Sequence, residues 1–250
     1  MGEQKSKPSR IKAVLFDMHK TLTDVEEEFI SLTRQVARTV GIDLTPFSDD
    51  EILTALESFD DWFTCFQIEN DVDIHYGNEI EHWTEANRVM FEAIGITGLS
   101  DDILISVEKK WRERLKTWEM LRPEAKSTIY ELHKRGYPLG VCTRRPDDPS
   151  YLLREWGILD KFSTVRWTSV PGYAKPYPYT LILAADDLGV NPQNCAFVGN
   201  SVDVDVVAAQ RAGMTPVLAT WAYTEEVVET PEGTYIINKV SELLDLLIEL

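Results

Sequence analysis

Short apolar runs, each stopped by a residue or turn able to do chemistry and separated by helical patterns, constrain this chain more than any other feature. Ile11 to Phe16 (IKAVLF) ends at Asp17, Pro138 to Cys142 (PLGVC) at Thr143, and Cys195 to Val198 (CAFV) at Gly199. Runs this short and this apolar are strands buried on both faces. From Arg122 onward the spacing predicts helices over 123–135, 147–157, 178–188 and 203–212. Further extended segments are expected at 161–168, 216–220 and 235–237, with an amphipathic helix in the tail SELLDLLIEL. Strands joined through helices require right-handed crossovers, hence an α/β fold with a doubly wound, Rossmann-like parallel sheet. Ligands of such sheets bind beyond the carboxyl ends of the strands.

The residues at those ends are chemically capable. Asp17 offers a carboxylate, Thr143 a hydroxyl, and the Gly199-Asn200-Ser201 turn further oxygens. Lys175 adds a cation from the loop PGYAKPYP, which follows the strand near Val165. Brought to one spot, this set suits nucleophilic displacement at an anionic centre.

Between the first strand and Arg122 the pattern is different. Helical spacing runs over 26–40 (Phe29, Leu32, Val36, Val40), 49–58, 79–94 and 101–119, and nothing from 25 to 119 reads as a strand. That block holds 22 Asp and Glu against 8 Lys and Arg, so −14 of the formal net charge of −17 lies in it. A composition shift of this kind marks an inserted all-helical domain. The expected division is a disordered tail at 1–10, a core of 11–24 and 121–250, and a helical insert of 25–120. Phe59, Trp62, Phe63 and Phe66, with Trp83, Trp111 and Trp118, are expected to form most of the insert's own core. His75, His82 and His133 lack metal-ligand spacing and read as surface residues.

Composition narrows the partners. An acidic surface repels polyanions, so nucleic acid and anionic membranes are poor partners and a small molecule is the expected substrate. No apolar run approaches the roughly 20 residues that span a bilayer, and the polar first ten residues do not read as a secretory signal. Cys65, Cys142 and Cys195 are far apart, form no CxxC pair and sit among apolar neighbours. They are expected to be buried packing residues in a reducing, cytoplasmic setting.

Taken in order, FDMHKTLTD, PLGVCTRR, YAKPYP and FVGNSVDVDVVAAQRAGM resemble the four motifs of the haloacid dehalogenase superfamily, and the helical insert resembles its C1-type cap. The resemblance covers nearly the whole chain after residue 10. It implies a hydrolase in which Asp17 is the nucleophile, Thr143 binds the oxygens of the transferring group, and Lys175 pairs with the nucleophile. Thr21 would hold the loop after Asp17 by local hydrogen bonding. Magnesium would be held by Asp17, the backbone carbonyl of His19 and Asn200, with Asp205 ordering its water. Arg144, together with Arg145, would suit phosphate, because a guanidinium fork matches its geometry.

Two positions depart from the superfamily's phosphatases. His19 stands where they usually carry a second Asp, the general acid and base, and Asn200 stands where the fourth motif usually has Asp. An amide oxygen still coordinates a hard cation but removes a negative charge, and Asp203 either compensates or faces solvent. Imidazole exchanges protons near neutral pH, so His19 either protonates the leaving oxygen or only shapes its loop. The superfamily's dehalogenases also lack the second Asp, but their usual Ser-Asn, later Tyr and Ser-Ser-Asn are Thr143-Arg144, Leu181 and Gly199-Asn200-Ser201 here. The leading expectation is therefore a magnesium-assisted phosphatase of a small phosphorylated metabolite, acting through an aspartyl-phosphate. A 2-haloacid dehalogenase-type hydrolase and a catalytically impaired binding protein are the alternatives.

Overall fold

The computed structural model describes residues 11–25, 28–70, 80–145, 147–170, 172–222 and 229–250. The expected tail at 1–10 and His75 lie outside the described residues.

The first apolar run forms β1 (Ala13–Phe16), and every one of its residues is buried. Its partners are β4 (Leu139–Thr143) on one side and β6 (Cys195–Gly199) on the other, both parallel to it. β5 (Thr164–Trp167) extends the sheet beyond β4, and β7 (Thr215–Ala219) and β8 (Tyr235–Ile237) extend it beyond β6. All pairings in this six-stranded sheet are parallel. The chain leaves β1 towards one edge and later returns to build the other, so β1 lies at the reversal point where such sheets place ligands.

Alternation along the strands produces three layers. Val14 and Phe16 pack with α5 (Pro123–Lys134), α6 (Ser150–Glu155) and α9 (Leu243–Glu249) through Ile129, Leu132, Leu153 and Leu247. Ala13 and Leu15 point the other way, into Leu181 and Ala184 of α7 (Tyr179–Asp187) and Ala208 and Ala209 of α8 (Val207–Ala212). Small residues on that second face let the backbones approach. At Gly140, in β4, an added Cβ would meet the Leu15 side chain at 2.6 Å.

The insert contains α1 (Phe29–Thr39), α2 (Asp49–Glu69), α3 (Ile80–Ala93) and α4 (Asp101–Trp118). These helices enclose a core of their own that includes Leu32, Ile52, Phe91, Leu104 and Val107. The expected aromatic cluster is there as well: Phe63 and Trp83 are buried, with ring centroids 4.4 Å apart.

Several local expectations are corrected. The insert is not strand-free at its ends, because β2 (Thr23–Val25) pairs antiparallel with β3 (Glu119–Leu121), and Val25 faces Glu119. The helix expected over 101–119 therefore stops at Trp118, since tertiary pairing outweighs the helical preference of Glu. α2 continues well past residue 58, because Phe59, Phe63 and Phe66 prolong the apolar stripe that packs on α3. The helix expected from 203 opens with a π turn, Val202–Val206. Cys142 and Cys195 are buried but Cys65 is exposed, on the solvent side of α2. His133 is exposed, whereas His82 is half-buried with its ring 4.4 Å from that of Phe66.

Candidate active site

Four strand-end segments meet above β1. Asp17 immediately follows β1 and is 6% exposed; its backbone N–H donates to the Val198 carbonyl of β6 at 2.8 Å. Lys175 enters from the loop before α7, 2% exposed, and its Nζ lies 2.6 Å from both Asp17 Oδ1 and Asp205 Oδ1. One cation thus joins two buried carboxylates. Burial raises the Asp17 carboxyl above its ordinary range, and the Lys175 charge offsets this only in part. Burial works against the Lys175 charge too, but the charges of Asp17 and Asp205 outweigh it and hold the ammonium above its ordinary value.

The second oxygen of Asp205 accepts from the backbone N–H groups of Asn200 and Ser201, each at 3.0 Å. The π turn carries Asp205 inward beneath that turn, while Asp203 faces solvent. Such tight folding requires the glycine before it, because a Cβ on Gly199 would stand 2.3 Å from that of Asp205. Asp205 therefore holds both the lysine and the turn. Thr21, fully buried, places its hydroxyl 3.1 Å from Asp17 Oδ2 and 3.0 Å from Asn200 Oδ1. A hydroxyl has one proton to donate, so these neighbouring oxygens share it and one is left with acceptor capacity. Among the described residues no three His, Cys, Asp or Glu side chains are grouped to hold a metal. The donor pair that does converge, a carboxylate and an amide oxygen, is of the hard type that suits magnesium.

His19 does not face this cluster through both nitrogens. Its Nδ1 lies 2.6 Å from Glu119 Oε1, and its ring stacks on Trp118 with centroids 5.2 Å apart and planes inclined by 24°. The other oxygen of Glu119 accepts from Arg145 at 2.7 Å, and Arg145 also pairs with Asp147. Glu119 has a fully buried side chain. Burial pushes its carboxyl up, yet the His19 hydrogen bond, the Arg145 and His19 charges and a Thr23 hydrogen bond together hold it below its ordinary value. An ionised carboxylate only accepts, so Nδ1 must carry the proton and Nε2 is the nitrogen left for chemistry.

The sequence over residues 11–213 matches the family model of the haloacid dehalogenase-like hydrolases. The chain belongs to that family. It is 24% identical over 250 residues to a phosphoglycolate phosphatase of Escherichia coli O157:H7, covering 96% of this chain and 93% of that one. Among solved structures, one described as a predicted phosphoglycolate phosphatase from Haemophilus somnus 129pt superposes with a TM-score of 0.64 at 20% identity, over 96% and 99% of the two chains. A 2-haloacid dehalogenase from Pseudomonas syringae pv. tomato superposes with a TM-score of 0.65 at 21% identity and the same coverage. At such identities the structural likenesses establish the hydrolase fold and leave the chemistry to the site.

In this hydrolase the site opens into a cavity of about 790 Å3 between the sheet and the insert. Asp17, His19, Thr143, Arg144, Lys175, Asn200 and Asp205 all line it, so every sequence-predicted site residue reaches one space. The two motif arginines part company. Arg145 is locked by Glu119 and Asp147, whereas Arg144 is exposed, has no ion-pair partner among the described residues, and shares the cavity with Asp60, whose charge it influences. Desolvation raises the carboxyl of Asp60, although the residue is exposed, and Arg144 offsets this only in part. The insert side adds residues that sequence reasoning did not place at the site: Glu119, Asp60, and the buried Asn87 and Glu108 with the half-exposed Arg112. Within that group Arg112 Nε donates to Glu108 at 2.6 Å and Asn87 Nδ2 reaches Glu108 at 3.2 Å. Glu119 had one legible signal, a carboxylate three residues before the Arg122-Pro123 pair, but its pairing with His19 spans 100 positions.

Proposed function

We propose that this hydrolase is a magnesium-assisted phosphatase of a small phosphorylated metabolite, working through an aspartyl-phosphate on Asp17. The observation that carries the reading is the Asp17–Lys175–Asp205 cluster at the carboxyl end of β1, with Thr143 on the same cavity and Arg144, which has no ion-pair partner among the described residues. Lys175 neutralises the nucleophile's surroundings, and Thr143 and Arg144 take the non-reacting oxygens of the phosphate. Asp17 and Asn200, with the His19 carbonyl, would hold magnesium, which supplies additional positive charge against the transferring group.

In the first step a carboxylate oxygen of Asp17 attacks phosphorus and the ester oxygen leaves, taking a proton from Nε2 of the cationic His19 ring. In the second, the neutral ring accepts a proton at Nε2 from water as that water attacks phosphorus and releases Asp17. Glu119 keeps the proton on Nδ1 throughout, and Trp118 fixes the plane of the ring. This dyad favours proton-assisted phosphoryl transfer over halide displacement, which needs no acid. We assign residues 11–24 and 121–250 to the catalytic unit and 25–120 to a cap that closes over it and excludes water.

The test compares wild type with Asp17→Asn for phosphate release, with and without magnesium, and for halide release from 2-haloacids. Metal-dependent phosphate release that falls by roughly 10³-fold or more in the variant is the expected result. Halide release without metal would overturn the reading in favour of the dehalogenase, and no turnover of either kind in favour of a binding protein.

A further inference from the structure

We infer that the ester this site accepts carries a bulky aromatic or otherwise apolar leaving group, not a short carboxylate or sugar. The inference rests on the phosphatase reading above and deepens it. The phosphate end of the cavity is set by the sheet, so the leaving group must extend towards the insert. There the walls are Phe29, Leu56, Phe59, Trp83, Met90 and Trp111, with Leu115 and Trp118 beside them. Phe29 stacks on Trp111 at 5.1 Å and leans on Trp118 at 5.4 Å, so these aromatic residues form a continuous wall that ends at His19. Flat apolar walls favour a flat apolar guest, because burying such surface releases water and brings ring faces together.

Size and charge agree. A cavity of about 790 Å3 lies in the range of sites that enclose drug-sized ligands, roughly 300–1,000 Å3, and a phosphorylated two-carbon acid would leave most of it wet. Most cations that line it are already engaged. Arg112 is paired with Glu108, Arg145 with Glu119 and Asp147, and Lys175 with Asp17 and Asp205. Arg144 is assigned to the phosphate, which leaves Lys116, exposed at the rim, as the lining cation without an ion-pair partner among the described residues. Asp60 stands on the same wall and would repel a carboxylate on the leaving group.

The experiment uses esters of unactivated primary alcohols, so that reactivity does not vary with the leaving group. With magnesium present, kcat/KM is measured for ethyl phosphate, phosphoglycolate and 3-phenylpropyl phosphate. Binding of ethylphosphonate and 3-phenylpropylphosphonate is followed by tryptophan fluorescence. We expect the phenylpropyl ester to exceed the other two by about 30- to 100-fold in kcat/KM, with a similar ratio between the phosphonates. Trp111→Ala should reduce the ratio about tenfold, and Phe59→Ala serves the same purpose where Trp111→Ala does not fold. Turnover of all three esters without a size preference, or best on phosphoglycolate, overturns the inference and leaves the phosphatase reading standing. Absent turnover with selective phosphonate binding overturns the phosphatase reading and supports the ligand class. Equal phosphonate binding without turnover overturns both.

Discussion

At the residue scale, the most informative departure from the family pattern is His19, and its meaning depends on Glu119. A histidine in a loop has two nitrogens and two tautomers, and neither is fixed until one nitrogen meets a partner. Glu119, buried and below its ordinary carboxyl value, supplies that partner and is itself held by Arg145. Because the folded value is depressed, its contribution to stability is complete above the ordinary value of 4.5 and is lost as pH falls through the folded value. Glu119→Gln should therefore cost about 2–3 kcal/mol at pH 7, since Arg145 and the His19 proton lose their carboxylate. Urea midpoints at pH 7 and pH 3.5 check this. The gap between wild type and variant should narrow at the lower pH, and an equal gap at both would refute the assignment.

At the scale of elements, the crowded segment is the turn between β6 and α8. Gly199, the Asn200 and Ser201 amides and Asp205 form one packed unit, and the π turn gives Asp205 its inward direction. Gly199→Ala should push Asp205 off both amides and away from Lys175. The expected cost is about 1–3 kcal/mol in stability with at least a tenfold fall in turnover. Thermal denaturation and kcat measured on the same preparation test the two together. A variant with wild-type turnover would show that Asp205 does not position Lys175 against Asp17 for the proposed chemistry. The strands that surround this turn were readable because buried strands must be apolar runs. β2 and β3 were not, because Thr-Asp-Val and Glu-Met-Leu are not apolar runs and pair only with each other.

For the whole molecule, sheet and insert keep separate hydrophobic cores, with the paired strands β2 and β3 where the chain enters and leaves the insert. The proposed catalytic cavity lies between the two bodies, so closure of one on the other would shape it. Saturating 3-phenylpropylphosphonate with magnesium should lower the radius of gyration measured by small-angle X-ray scattering. An unchanged value would mean that the insert is a fixed wall and does not close. The sequence by itself determined the parallel sheet, the inserted helices and the place of Asp17, Thr143 and Asn200 at strand ends, with Lys175 in the loop beyond. Those depend on local periodicity and on residues that must sit at strand ends. Only the tertiary structure decided which arginine lacks an ion-pair partner among the described residues, which nitrogen of His19 is available and what faces the cavity from the insert. Glu119, Arg145 and the aromatic wall meet the site across long stretches of chain, and no local pattern encodes a contact made by folding.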